Sequence, residues 1–107
     1  MVFDIDGTVA DARHRLHLIA GKADHDQWVR FFDAAVDDPP LAEGVARAKQ
    51  LAETHDIVWL TARPERVREM TEDWLAQHGL PTGRLLMLPD GEKKVARTAK
   101  EMIAELK

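Results

Sequence analysis

The sequence predicts an α/β fold, a Rossmann-like three-layer arrangement built around a parallel sheet. Two observations carry that reading. Three short apolar runs, at 1–5, 57–61 and 84–88, have the length and composition of buried strands. The stretches between the second and third runs, and after the third, place apolar residues at helical spacing. Strands alternating with helices call for parallel pairing through right-handed crossovers. A chain of 107 residues fits one domain, with a small margin for a working core.

In chain order, Met1 to Ile5 is an apolar run that opens into acids and a glycine, the form of a buried strand entering a loop. Residues 11–40 are too long for an ordinary connection. They contain helical material around Leu16 and Ile19, then Trp28, Val29, Phe31, Phe32 and Val36, and end at Asp37-Asp38-Pro39-Pro40. This segment reads as a small cap-like helical insertion over the carboxyl end of the first strand, where parallel sheets bind ligands. Leu41, Val45, Ala48 and Leu51 mark a helix feeding the second strand, Ile57-Val58-Trp59-Leu60-Thr61. Pro64 then sits where an early helical residue belongs, followed by Val67, Met70, Trp74 and Leu75, with Gly79 as the stop. Arg84-Leu85-Leu86-Met87-Leu88 is the third strand, and Val95, Ala99, Met102, Ile103 and Leu106 mark a last helix.

Composition excludes several function classes. There is no cysteine, hence no disulfide framework, thiolate metal site or cysteine nucleophile. No run approaches the ~20 apolar residues of a membrane span, and the first residues carry acids where a signal peptide needs a basic region. A cytoplasmic protein with no membrane partner is the expectation. With a net charge of −4, nothing in the overall balance suggests a general affinity for nucleic acid or anionic membrane. Arg63, Arg66 and Arg68 could still form a local basic patch, the alternative for Arg66 and Arg68 being a solvated helix face.

The chemistry concentrates in Asp4-Ile5-Asp6-Gly7-Thr8. Period-two spacing sends Asp4 and Asp6 to one side of the chain. Two carboxylates at a strand end repel each other unless a cation or a proton intervenes. Mg²⁺ suits such oxygen ligands and suits phosphate substrates. Gly7 permits a sharp turn, and Thr8 adds a hydroxyl.

An apolar strand followed by this DxDGT run resembles the first motif of the haloacid dehalogenase-like (HAD) phosphatase superfamily. Thr61, ending the second strand, is similar to that family's second motif. Thr61-Ala62-Arg63-Pro64-Glu65 resembles the form found in polynucleotide kinase 3′-phosphatase-type domains, as does Leu85 to Gly91. The family's third motif is a lysine ahead of the next strand. Spacing selects Lys100 over Lys93 and Lys94.

The resemblance implies a Mg²⁺-dependent phosphomonoester hydrolase. Asp4 would be the nucleophile, forming an aspartyl-phosphate, and Asp6 the acid/base. Thr61 and Lys100 would bind phosphoryl oxygens, with Arg63 as a further phosphate or leaving-group contact, the alternative for Arg63 being a surface arginine at a helix start. The metal would take a carboxylate oxygen of Asp4 and the main-chain carbonyl of Asp6. The implied substrate is a phosphorylated small molecule or a nucleic-acid end, with a nucleotide or polynucleotide 3′-phosphate favoured.

One part of the family pattern is missing. The fourth motif, an acidic pair completing the metal site, would lie beyond Lys107. The pair Asp37-Asp38 precedes the second motif and is assigned to the insertion rather than to the metal. The family's strand order also leaves the first strand on an open sheet edge. The expectation is a C-terminally incomplete domain, its edge covered by a missing segment or by self-association. A phosphotransferase such as a phosphomutase, or a non-catalytic truncated module, are the alternatives. Asp24-His25-Asp26 and the pair His14 and His17 read as solvated or capping clusters rather than metal sites. Trp28, Phe31 and Phe32 read as the insertion's own core rather than a base-stacking surface.

Overall fold

The computed structural model describes residues 1–88. The expected final helix, together with Lys93, Lys94 and Lys100, lies outside the described residues. Three parallel strands, β1 (Val2–Asp4), β2 (Val58–Pro64) and β3 (Arg84–Leu88), form a sheet of order β1-β2-β3. Helices α1 (His25–Asp33), α2 (Ala42–Ala52) and α3 (Arg68–Gln77) connect them, joined by short 3-10 segments at Arg13–Ile19, Ala34–Asp37 and Glu65–Val67. This is the Rossmann-like α/β architecture that the three apolar runs predict.

β2 is the central strand, and its Trp59, Leu60 and Thr61 are almost wholly buried. Phe3 and Ile5 of the first run pack with Trp59, Trp74 and Leu85 in one core. Both indoles place their N–H on a carbonyl, Trp59 on Pro81 at 3.1 Å and Trp74 on Asp38 at 2.9 Å. Their burial therefore leaves no donor unsatisfied. α3 ends where Gly79 was expected to stop it: Gly79 N–H bonds Ala76 and Leu80 N–H bonds Leu75, the paired bonds of a Schellman cap.

Two expectations change. The first strand is buried on one face only. Met1 and Val2 are 48% and 39% exposed, because β1 is the sheet edge among the described residues. Pro64 ends β2 rather than beginning a helix. Its φ of −73° and ψ of 155° are extended, and α3 starts four residues later. Proline's fixed φ fits both settings, so its presence alone does not decide between them.

The 11–40 segment leaves and returns at one point. Asp11 N–H bonds Pro39 at 2.8 Å and Leu41 N–H bonds Val9 at 2.8 Å, stitching its two ends together. Asp24 caps α1 in a reciprocal capping box with Gln27, which is the capping role expected for that acidic cluster. Trp28, Phe31 and Phe32 pack on one another with centroids 5.3 to 5.8 Å apart, Trp28 stacked on Phe32 and Phe31 edge-on to both. Phe31 and Phe32 also belong to the same buried cluster as the strand residues, so the segment is packed on the sheet's core rather than around a separate one.

Candidate active site

β1 and β2 run parallel, so their carboxyl ends lie side by side, with Asp4 paired to Leu60. Thr61 is the next residue of β2. The chain after β1 turns sharply at Gly7, whose φ of +82° is left-handed and favours glycine. Gly7 N–H bonds Ala10, and the N–H groups of Thr8, Val9 and Ala10 all converge on the Ile5 carbonyl at 3.0 to 3.2 Å. These amides are spent within the turn, so anion binding here falls to side chains. The first turn of α2 braces the loop. A Cβ on Gly44 would stand 1.7 Å from the Thr8 carbonyl oxygen, so only glycine allows the helix this close.

Asp4 and Asp6 face very different surroundings. Asp4 is exposed at the end of β1, and its Oδ1 accepts the Ile5 N–H at 2.9 Å. Partial burial, followed by the neighbouring Asp6 charge, pushes its carboxyl above the usual range. Asp6 also loses solvation, but two guanidinium groups outweigh that loss and hold its carboxyl below the usual range. Arg15 Nη2 donates to Asp6 Oδ1 at 2.7 Å and Arg63 Nη2 to the same oxygen at 2.8 Å. Arg63 Nε lies 3.3 Å from both Asp6 oxygens, and Thr61 Oγ1 donates to Oδ2 at 3.4 Å.

Arg63 is wholly buried in β2, which excludes the surface, helix-start reading of that residue. Its placement depends on an irregularity in the sheet. Leu60 and Pro64 pair with Leu86 and Leu88, so four steps of β2 match two of β3. Within the bulge Arg63 N–H donates to Thr61 Oγ1 at 3.1 Å instead of to the ladder. Thr71 of α3 accepts from Arg63 Nη1 at 3.2 Å. Arg66 and Arg68 form no basic patch with it. Arg66 pairs with Asp33, and Arg68 with Glu65 and Glu72.

Sequence reasoning missed two members of the site. Arg15, from the Arg13–Ile19 turn, is fully buried, with its guanidinium carbon 4.3 Å from the centre of the Phe31 ring. Asp38, set aside in the sequence reading, is 3% exposed. It accepts from Arg15 Nε and Nη2 at 2.8 Å each, from Arg63 Nη2 at 3.2 Å, and lies 2.6 Å from His14 Nε2. Asp38 therefore serves the arginines and not a metal. The one available signal was an arginine and an acid near the two ends of the 11–40 segment.

For a divalent ion, the described residues fit in part. Asp4 offers an open carboxylate beside a like charge. The bonds of the 5–10 turn run to the Ile5 and Ala10 carbonyls and not to that of Asp6. Asp4 and the Asp6 main-chain oxygen are thus two donors of the right hardness. Among the described residues no group of three acids or histidines completes the set.

The family model described as PITM 1-3, LNS2 domain, matches residues 1–107. A chain of the solved Pnkp1/Rnl/Hen1 complex is similar in structure, with a TM-score of 0.67 and 21% sequence identity. The match covers 98% of this chain but 32% of that one, so this chain spans about a third of its length. That likeness shows the fold. No curated protein matches.

Proposed function

The chain belongs to the PITM 1-3 LNS2 domain family, within the HAD-like superfamily of phosphatases, and on that footing we propose that it hydrolyses phosphate monoesters through Asp4. The observation that carries this reading is the pairing of an open Asp4 carboxylate with the buried arginines that converge on Asp6. Buried ion clusters add little net stability over apolar packing. Two guanidiniums sunk beside a DxD turn therefore argue for anion chemistry.

An Asp4 carboxylate oxygen attacks phosphorus, and the bond to the leaving oxygen breaks as Asp6 donates a proton to it. Water then attacks the aspartyl-phosphate at phosphorus. Asp6 takes the proton from that water, and phosphate leaves with Asp4 restored. Thr61, Arg63 and Arg15 supply donors to the phosphoryl oxygens as charge spreads over them. Lys100 is assigned the same role by resemblance. Mg²⁺, held by the Asp4 carboxylate and the Asp6 main-chain oxygen, would neutralise charge between nucleophile and phosphate.

For substrate we favour a nucleotide or polynucleotide 3′-phosphate. The exposure of Asp4 supports access by a large substrate, and the Thr61-to-Glu65 run supports the subgroup. No helix among the described residues is long and apolar enough to cross a membrane.

The test is turnover of an aryl phosphate and of a 3′-phosphorylated oligonucleotide, each with and without Mg²⁺. Metal-dependent release of phosphate that disappears in Asp4→Asn is expected. Wild-type turnover in purified Asp4→Asn would remove the mechanism.

A further inference from the structure

The two carboxylates and two guanidiniums form a closed ring. Asp6 Oδ1 accepts from Arg15 Nη2 at 2.7 Å and from Arg63 Nη2 at 2.8 Å. Asp38 Oδ2 accepts from the same two nitrogens, at 2.8 and 3.2 Å. Charges alternate around the ring and balance. Its acidic corners are not equivalent. The Asp38 side chain is fully buried, whereas that of Asp6 is 27% exposed and stands at the mouth. Asp38 also fixes Arg15 through Nε, and it has His14 as a further partner.

We propose that Asp38 is a positioning residue: the permanent acceptor that holds Arg15 and Arg63 while the phosphoryl group of the substrate takes the place of Asp6 on them. This rests on the phosphatase reading of the site and deepens it. A phosphoryl dianion offers the guanidiniums more charge than one carboxylate and can reach only the mouth corner. Once displaced, the Asp6 carboxyl is released from both guanidiniums and is free to face the leaving group. With Asp38 absent, the arginines would have no fixed acceptor when Asp6 let go.

The test measures affinity for inorganic phosphate, together with the arginine Nε–Hε resonances, in the full chain. In the wild type, phosphate should move the Arg63 Hε signal, whose acceptor is Asp6, and leave that of Arg15, whose acceptor is Asp38. Asp6→Asn removes the competitor and should tighten phosphate binding. Asp38→Asn should weaken it by about tenfold or more, the worth of a charged hydrogen bond, and should lose the protected Arg15 Hε signal. Both variants remove one negative charge, so a purely electrostatic cluster would tighten in both, and that result overturns the proposal. Absence of phosphate binding in the wild type also overturns it.

If Asp38→Asn does not fold, Asp6→Asn decides the matter. Tighter phosphate with Arg15 Hε still protected supports the proposal, and weaker phosphate or loss of that signal overturns it. Aryl-phosphate turnover separates the two readings. The stated asymmetry without turnover sinks the hydrolase and keeps the positioning role, while turnover without the asymmetry does the reverse.

Discussion

β1 and β2 end side by side and deliver opposite charge by different means. β1 is three residues long, lies at the sheet edge among the described residues and is open on one face. Simple alternation is enough to send Phe3 and Ile5 inward while Asp4 and Asp6 reach the site. β2 is central and delivers Arg63 only through a bulge, a hydroxyl from Thr61 and the distant carboxylate of Asp38. A carboxylate at a strand end needs only position. A buried guanidinium needs a partner for every donor, and that partner comes from elsewhere in the chain.

The comparison breaks most sharply at the nucleophile. Asp4→Asn should lower turnover by about three orders of magnitude or more, and it should also raise thermal stability at neutral pH. The sign follows from the raised carboxyl of Asp4. A carboxyl raised by folding weakens the fold where it is ionised, and the penalty disappears as pH falls through the folded pKa. Melting curves of both proteins should therefore separate at pH 7 and converge in acid. A melting temperature for Asp4→Asn below that of the wild type at pH 7 would break the account of β1.

On the β2 side, Asp38→Ala leaves two buried arginines short of an acceptor and should cost about 3–5 kcal/mol, read by denaturant unfolding. A loss below about 1 kcal/mol would mean that the arginines find water or another partner. Asp6 gives the opposite pH behaviour to Asp4. Its lowered carboxyl stabilises the fold above the ordinary Asp value, and that contribution is lost as pH falls through the folded pKa. Asp6→Asn should remove part of the acid sensitivity of the wild type in a pH series of melting temperatures.

Gly44→Ala tests the brace behind β1. Its Cβ meets the Thr8 carbonyl, so a loss of about 1–3 kcal/mol is expected, with turnover falling as the loop shifts. Unchanged stability would show that α2 can retreat freely. The smallest test contrasts lysines. Lys100→Ala should reduce activity well beyond Lys93→Ala or Lys94→Ala, and equal mild losses would remove the assignment of Lys100.

These contrasts also explain what the sequence made legible. The three strands, the stop at Gly79 and the pair Asp4 and Asp6 follow from local patterns: alternation, apolar runs and a turn glycine. Arg63 was visible as a residue but not as a buried strand position, because Pro64 suits a helix start as well as a strand end. Arg15 and Asp38 carry no local signature. They lie 23 residues apart and meet Arg63 and Asp6 only after the 11–40 segment closes on itself. Read in isolation, Asp38 looked like part of a polar turn before two prolines, and pairing across such distance has no periodicity to reveal it.

The central claim is that Asp4 carries the phosphoryl group. Acid-quenching the enzyme during turnover of a phosphate monoester with Mg²⁺, then reducing with borohydride, converts an aspartyl-phosphate to homoserine. Peptide mass mapping should find homoserine at position 4, and none in Asp6→Asn samples that never saw substrate. Turnover with Asp4 unmodified, or with the reduced residue elsewhere, would contradict the account.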